Sequence, residues 1–331
     1  MSRKCSSERE SIRRRKEAGE PGPLTFDPVL ATGSFTNVRR EDDKTTRFYG
    51  ANIRARYAGR AELLAVTPAF LWFNSIKTGQ TFTCVGDDGL SALDRMAETN
   101  SVEPLRAALK TQSPPFVNGA YRMTPPRDML GKLTKEEGSL YTIERFLKES
   151  GWRRCWDRWE KSPPPLAEVG AWYRDRYNFG PFQAGQNVAS LKYVEPFLSA
   201  PDWSTWAYSG DGSRMGLNIV MGRDIKAPWD EVTFLLALRK LGAEVMPRMI
   251  AAGVPELHLQ DLQNVLCELS KLWRVANGCG RLKKNYTPTE PPLTGGALAA
   301  RLDELRADAL ARFAAGGIKN LDWLSGKMAT E

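Results

Sequence analysis

The sequence predicts an all-α, multi-helix bundle, and three observations carry the prediction. Apolar residues recur at helical spacing along most of the chain, Gly and Pro punctuate those runs where helices would end, and period-two alternation is nearly absent. The 331 residues are 42% apolar and 10% aromatic, with ten tryptophans, enough to bury a substantial core without disulfide or metal staples.

The elements follow in chain order. Residues 1–24 are expected as a basic N-terminal arm: Arg13, Arg14, Arg15 and Lys16 precede GEPGP, so a charged helix should end before Gly19. Such an arm fits either a DNA contact or a solvated helix. Residues 25–286 form the expected helical catalytic domain. The pattern is helical from Asp27 to Tyr57, and AELLAVTPAFLWFNSI reads as a buried helix pair broken at Pro68. SALDRMAETNSVEPLRAALKT keeps helical spacing, and PPFVNGAYRMTPP interrupts it. SLYTIERFLKESGW, LAEVGAWYRDRY, QAGQNVASLKYVEPFL, WDEVTFLLALRKLGAEVMPRMIAAG and LHLQDLQNVLCELSKLWRVANG are further helices, and only GLNIVMGR hints at an extended piece. Residues 287–331 combine the linker PTEPPLTGG with an amphipathic helix, ALAARLDELRADALARFAAGG, suited to packing on the body or on a second subunit.

Charge narrows the function classes. A net charge of +8 and an isoelectric point near 9.2 favour a polyanionic partner, nucleic acid first, although basic proteins without one are common. The five cysteines are scattered and odd in number, which argues against a disulfide framework or a zinc ribbon. The single histidine, His258, supplies neither a His-based metal site nor a Ser-His-Asp triad, and GxxxxGK[ST] and GxGxxG are both missing, so no metal or organic cofactor is expected. No apolar run reaches membrane-spanning length and the N-terminus lacks a signal-like core, so a cytoplasmic protein without membrane contact is expected.

Four segments hold the groups with chemical potential. Thr36 to Arg47 reads as a helix that places Arg39, Asp43 and Arg47 on one face, with Arg40 and Asp42 beside them and Asn37 at its start. Guanidiniums gathered near carboxylates suit a phosphate and an ammonium group, and equally a surface salt-bridge lattice. YNFGPFQAGQNVASL is a Gly-Pro turn opening a helix, with Asp202 some residues beyond, in the order of the helix-hairpin-helix of DNA glycosylases; a turn between two core helices fits as well. YSGDGSRMGLN is a Gly-rich loop whose Arg214 could hold an anion, or a surface hairpin. In HLQDLQNVLCELSKLWRV an apolar stripe of Leu259, Leu262, Leu266, Leu269 and Trp273 leaves Gln263, Cys267 and Lys271 opposite, which makes Cys267 either a nucleophile or a bystander.

Taken together, RKEAGEPGPLTFDP, FTNVRREDDKTTR, LWFNSIKTGQTF, VNGAYRM, FGPFQAGQN, SGDGSRMGLN and LQNVLCELSK resemble, in order, a family of phage thymine-hypermodification proteins. The resemblance runs from about residue 10 to 290. That family includes the amino acid:DNA transferases, also called glutamyl/putrescinyl-thymine pyrophosphorylases, and the helical domain attached to some hydroxymethyluracil DNA kinases. The resemblance implies an all-helical fold distantly related to helix-hairpin-helix glycosylases. It implies double-stranded DNA carrying modified thymine, a free amino acid such as glycine, and a hydroxymethyluracil DNA kinase as partners in the host cytoplasm. On this view Arg39, Arg40, Arg47 and Arg214 hold phosphate or DNA backbone, and Asp43, Asp42 or Glu268 assists an amine. Asn37, Asn74, Tyr121, Gln186, Gln263, Asn264 and Lys271 complete the substrate-binding set. Cys267 would add to C6 in a covalent route, and Asp202 would be the catalytic acid of a base-excising rival. A non-catalytic DNA-binding partner of the kinase is the other rival.

Overall fold

The computed structural model describes residues 2–118, 125–281 and 293–315. Among them the regular structure is helical and no strand forms, the architecture expected from the apolar spacing. In chain order the helices are α1 (Ser2–Glu17), α2 (Pro28–Thr32), α3 (Lys44–Tyr49), α4 (Leu63–Leu71), α5 (Ile76–Thr83) and α6 (Ala92–Thr99). Then come α7 (Glu103–Lys110), α8 (Lys135–Glu149), α9 (Trp152–Lys161), α10 (Leu166–Arg174) and α11 (Pro181–Leu191). The last are α12 (Asp211–Val220), α13 (Glu231–Ala251), α14 (Leu259–Ala276) and α15 (Gly295–Ala315). No described helix is long and apolar enough to cross a membrane. The chain divides into two compact units: Asp43–Tyr208, and a second in which Met1–Asp42 joins Ser209–Glu331.

The 43–208 unit contains α3 to α11 around an aromatic-rich core. Its helix starts are written locally. Ser75 caps α5 by accepting from the Thr78 amide, and Ser91 with Asp94 and Thr134 with Glu137 form reciprocal capping boxes on α6 and α8. Inside, Phe146 stacks on Tyr173 at 5.8 Å, and Trp159 meets Trp172 edge-on at 5.3 Å.

Pro68 lies inside α4, which runs on through it, so the expected break does not occur. Proline lacks the N–H that would have bonded the carbonyl four residues back. That carbonyl, on Leu64, instead accepts from the Tyr173 hydroxyl at 3.1 Å. Tyr173 is fully buried, and burial holds its hydroxyl protonated, well above the usual tyrosine range.

The second unit packs α1 against α13, α14 and α15. The charged helix expected to end before Gly19 forms over Ser2–Glu17 and lies on the body of its unit. Arg13 pairs with Glu10 and Glu17, Arg14 donates to the Gly253 carbonyl, and Arg15 pairs with Asp308 of α15. Arg312 of α15 closes the clasp on the buried Glu8 carboxylate at 2.8 Å.

Helix α12 crosses α14 at close range because two glycines one turn apart remove the side chains between them. A Cβ on Gly212 would stand 2.4 Å from Cys267 Sγ, and one on Gly216 would stand 2.0 Å from the Leu266 carbonyl oxygen. YSGDGSRMGLN is thus helical from Asp211 and not a loop or hairpin throughout, and GLNIVMGR is largely helical too. Its glycines serve helix packing. In α14 itself Leu259, Leu262, Leu266 and Leu269 are buried as the apolar stripe requires.

Candidate functional site

The expected helix from Thr36 to Arg47 does not form. Residues 34–39 run without regular structure, Arg40–Asp42 makes one tight 3₁₀ turn, Asp43 is extended, and only then does α3 begin. The break has a local cause. The Asn37 amide side chain donates to the Asp42 carbonyl at 2.7 Å, closing a loop that competes with helical hydrogen bonding. Arg39, Asp43 and Arg47 therefore do not share a helix face, and Arg39 is exposed.

The strap formed by residues 34–40 runs antiparallel along one face of α14 and is hydrogen-bonded to it turn by turn. Lys271 Nζ donates to the Ser34 carbonyl at 2.5 Å, and Glu268 Oε2 accepts from the Thr36 amide at 3.3 Å. Asn264 Nδ2 reaches Thr36 Oγ1 and the Asn37 carbonyl, each at 3.3 Å, and Asp261 Oδ1 accepts from the Arg40 amide at 3.1 Å. Residues 261, 264, 268 and 271 recur at three- and four-residue steps, which on an α-helix is one continuous edge.

Charge concentrates at the middle of that edge. Glu268 is only 8% exposed, and its Oε2 lies 3.3 Å from Lys271 Nζ. The Lys271 ammonium also lies 4.4 Å from the centre of the Phe35 ring. From α1, Arg9 reaches in with 4% of its surface exposed, and its Nε donates to the Thr36 carbonyl at 3.1 Å while Nη2 donates to the same oxygen. Its Nη1 is buried with no hydrogen-bond partner. An unmet buried donor costs about 1–3 kcal/mol, and more on a charged group.

Of the residues expected at a site, Asn37, Arg40, Asn264, Glu268 and Lys271 come together here. Asp42 closes the same loop and lies 3.8 Å from Arg13. Gln263 is buried on α14. Arg214 is held by the Ser209 hydroxyl at 2.8 Å and stands two residues from both Gly212 and Gly216, hence on the side of α12 turned away from α14. Cys267 is half-buried with its sulfur against Gly212. Burial, and next the Glu268 charge, push its thiol up to about 11 against the opposing pull of Lys271, Arg274 and Arg9. It is a neutral thiol near pH 7.

Asp43, Arg47, Asn74, Gln186 and Asp202 belong to the other unit. Asp202 caps α10: its two oxygens accept from the Leu166 and Ala167 amides at 2.6 and 3.1 Å. That occupation is structural. Asn74 sits in the left-handed region at the joint between α4 and α5, and Gln186 donates to the Tyr208 hydroxyl at 2.5 Å. Tyr121 lies outside the described residues. Sequence reasoning missed Arg9 and Asp261. Asp261 was recoverable from its place three residues into α14, where it completes a capping box on His258, whereas nothing local marks Arg9 among its charged neighbours.

No curated protein and no solved structure matches the chain. The family described as 5-hmdU DNA kinase, helical domain, matches residues 3–280 of the 331, and the chain belongs to that family.

Proposed function

We propose that this protein transfers an amino acid, glycine in the first instance, through its amine onto phosphorylated 5-hydroxymethyl-deoxyuridine in phage DNA, with phosphate or pyrophosphate leaving. The observation that carries the proposal is Glu268: a nearly buried carboxylate paired with Lys271, with Arg9 on the same strap residue, on the edge of α14 that the strap covers. A module that only gripped DNA would need exposed cations alone. Burying charges of both signs is costly, and it is repaid where a reaction needs both. The family match supports the 5-hydroxymethyl base as the substrate, and the sequence carries no GxxxxGK[ST] loop with which to phosphorylate it. A hydroxymethyluracil DNA kinase would supply the phosphorylated base.

In this reaction a new N–C bond forms at the exocyclic carbon on uracil C5 as the C–O bond to phosphate breaks, and the electron pair leaves with the phosphate. The incoming ammonium must lose one proton before attack and a second afterwards, and Glu268 is the proposed acceptor, with Asp42 nearby in the same unit. Charge growing on the departing oxygens is to be met by Arg40 and Lys271, with exposed Arg39 on the DNA backbone. The target base leaves the stack to be reached. Arg47, Asp43, Asn74 and Gln186 are assigned to contacts of the 43–208 unit with DNA, and Arg214 to contacts of its own unit with the DNA backbone. A thiol held up to about 11 favours direct displacement over addition of Cys267 to C6. With both Asp202 oxygens engaged on α10, base excision has no acid at that position.

The test is to incubate the protein with DNA carrying 5-phosphomethyl-deoxyuridine and one amino acid at a time, digest to nucleosides and weigh them. An aminoacyl-thymidine adduct is expected. Abasic sites would replace transfer by excision, and unchanged nucleosides with retained DNA binding would leave a recruitment module.

A further inference from the structure

Two side chains hold the backbone of Thr36, one at its amide nitrogen and one at its carbonyl oxygen. Glu268 Oε2 accepts from the Thr36 N–H at 3.3 Å, and Arg9 donates to the Thr36 carbonyl from Nε at 3.1 Å and from Nη2. Between those atoms lies N–Cα–C=O, the skeleton of a free α-amino acid. A carboxylate faces the end that would be ammonium, and a guanidinium faces the end that would be carboxylate. The spacing and polarity of the pair are therefore those of a bracket for an α-amino-acid zwitterion, with a residue of the chain itself seated in it.

The fit to Thr36 is incomplete in the direction a free ligand would repair. A peptide carbonyl offers Arg9 one oxygen, which Nε and Nη2 must share. A carboxylate offers two oxygens to the same fork, one for Nε and one for Nη2, and so makes the two parallel bonds that the planar guanidinium is shaped for. At the other end the Thr36 amide gives Glu268 one hydrogen where an ammonium gives up to three. Asn264 Nδ2 touches Thr36 Oγ1 at 3.3 Å, so the side-chain position is small and polar. Residues 34–39 of the strap have no regular structure of their own and are held to α14 by hydrogen bonds from three side chains, Lys271, Glu268 and Asn264, which suits an element that can lift.

We infer that Arg9 and Glu268 form the amino-acid subsite, that it takes small α-amino acids by both charged ends, and that Thr36 occupies it as an internal mimic until the ligand displaces the strap. The ligand's role as amine donor rests on the transfer proposal; the subsite itself does not. Amines without a carboxylate, and amino acids with an extra methylene between the two ends, should be poor ligands.

The test uses the full chain, with and without 5-phosphomethyl-deoxyuridine DNA. Calorimetric titration with glycine should show binding at least tenfold tighter than with acetate, methylamine or β-alanine, and Arg9→Gln and Glu268→Gln should each weaken it at least tenfold. Equal binding of glycine and acetate would overturn the subsite. Should the variants fail to fold, hydrogen exchange on the wild-type chain decides: saturating glycine should speed exchange in peptides covering residues 34–40, and unchanged exchange would overturn the displacement. Glycine transferred to DNA without faster exchange in the strap would leave the transfer proposal standing and this one fallen. Glycine bound with faster exchange but no nucleoside adduct would do the reverse.

Discussion

The two units of the chain bury different things. The 43–208 unit fills its interior with aromatic and aliphatic side chains, Phe73, Phe82, Trp152, Trp159, Tyr173 and Phe197 among them, and among its described residues the buried charged groups are Asp94 and Lys192. The other unit buries Glu8, Arg9, Glu10, Asp261 and Glu268 beside a narrower leucine stripe. Apolar burial stabilises roughly in proportion to area, about 25 cal/mol per Å², whereas a buried charge is tolerated only when paired. The first unit is built as a scaffold, and the second accepts electrostatic cost around a strap. That contrast is the physical reason to look for chemistry in the second unit.

The contrast is open to attack by substitution. The largest effect is expected from Trp159→Ala, which removes a fully buried ring from the scaffold core and should cost about 3–5 kcal/mol in chemical denaturation. A loss under about 1 kcal/mol would remove the aromatic core as that unit's main support. Next is Gly216→Ala in the other unit. Its Cβ would stand 2.0 Å from the Leu266 carbonyl oxygen, so α12 and α14 must part, at about 2–3 kcal/mol by the same measurement. Tyr173→Phe should cost about 1–2 kcal/mol, because the Leu64 carbonyl freed by Pro68 then has no donor.

The smallest effect is expected from Cys267→Ala, with turnover in the transfer assay within about twofold of wild type, since removing a bystander thiol takes nothing from the transition state. A loss of two orders of magnitude would restore the covalent route. The same thiol should alkylate slowly at neutral pH and faster as pH approaches about 11. Because its pKa is raised on folding, the unfolded chain deprotonates first, and this group lowers stability as pH climbs from the ordinary thiol range toward that value.

These substitutions also mark what the sequence disclosed. Helical periodicity exposed the fold class and the leucine stripe of α14, because both are local patterns. It failed at Pro68, where the missing donor is replaced by Tyr173, 109 residues away, which no local pattern can reveal. It failed again over residues 36–47, where the spacing of Arg39, Asp43 and Arg47 suits a helix, yet the Asn37–Asp42 loop and the ladder to α14 hold the backbone otherwise. Lys271 was legible on the polar side of an amphipathic helix, and Glu268 and Asn264 through the family resemblance. Arg9 was not, because its burial is decided by what α1 packs against.

The central claim is transfer of an amine to a phosphorylated base. Its most direct measurement is reaction of 5-phosphomethyl-deoxyuridine DNA with ¹⁵N-glycine, reading nucleoside mass and released phosphate together. A ¹⁵N-bearing thymidine adduct formed in step with phosphate is the predicted result. Phosphate release without nitrogen incorporation, or loss of the base, would contradict the account.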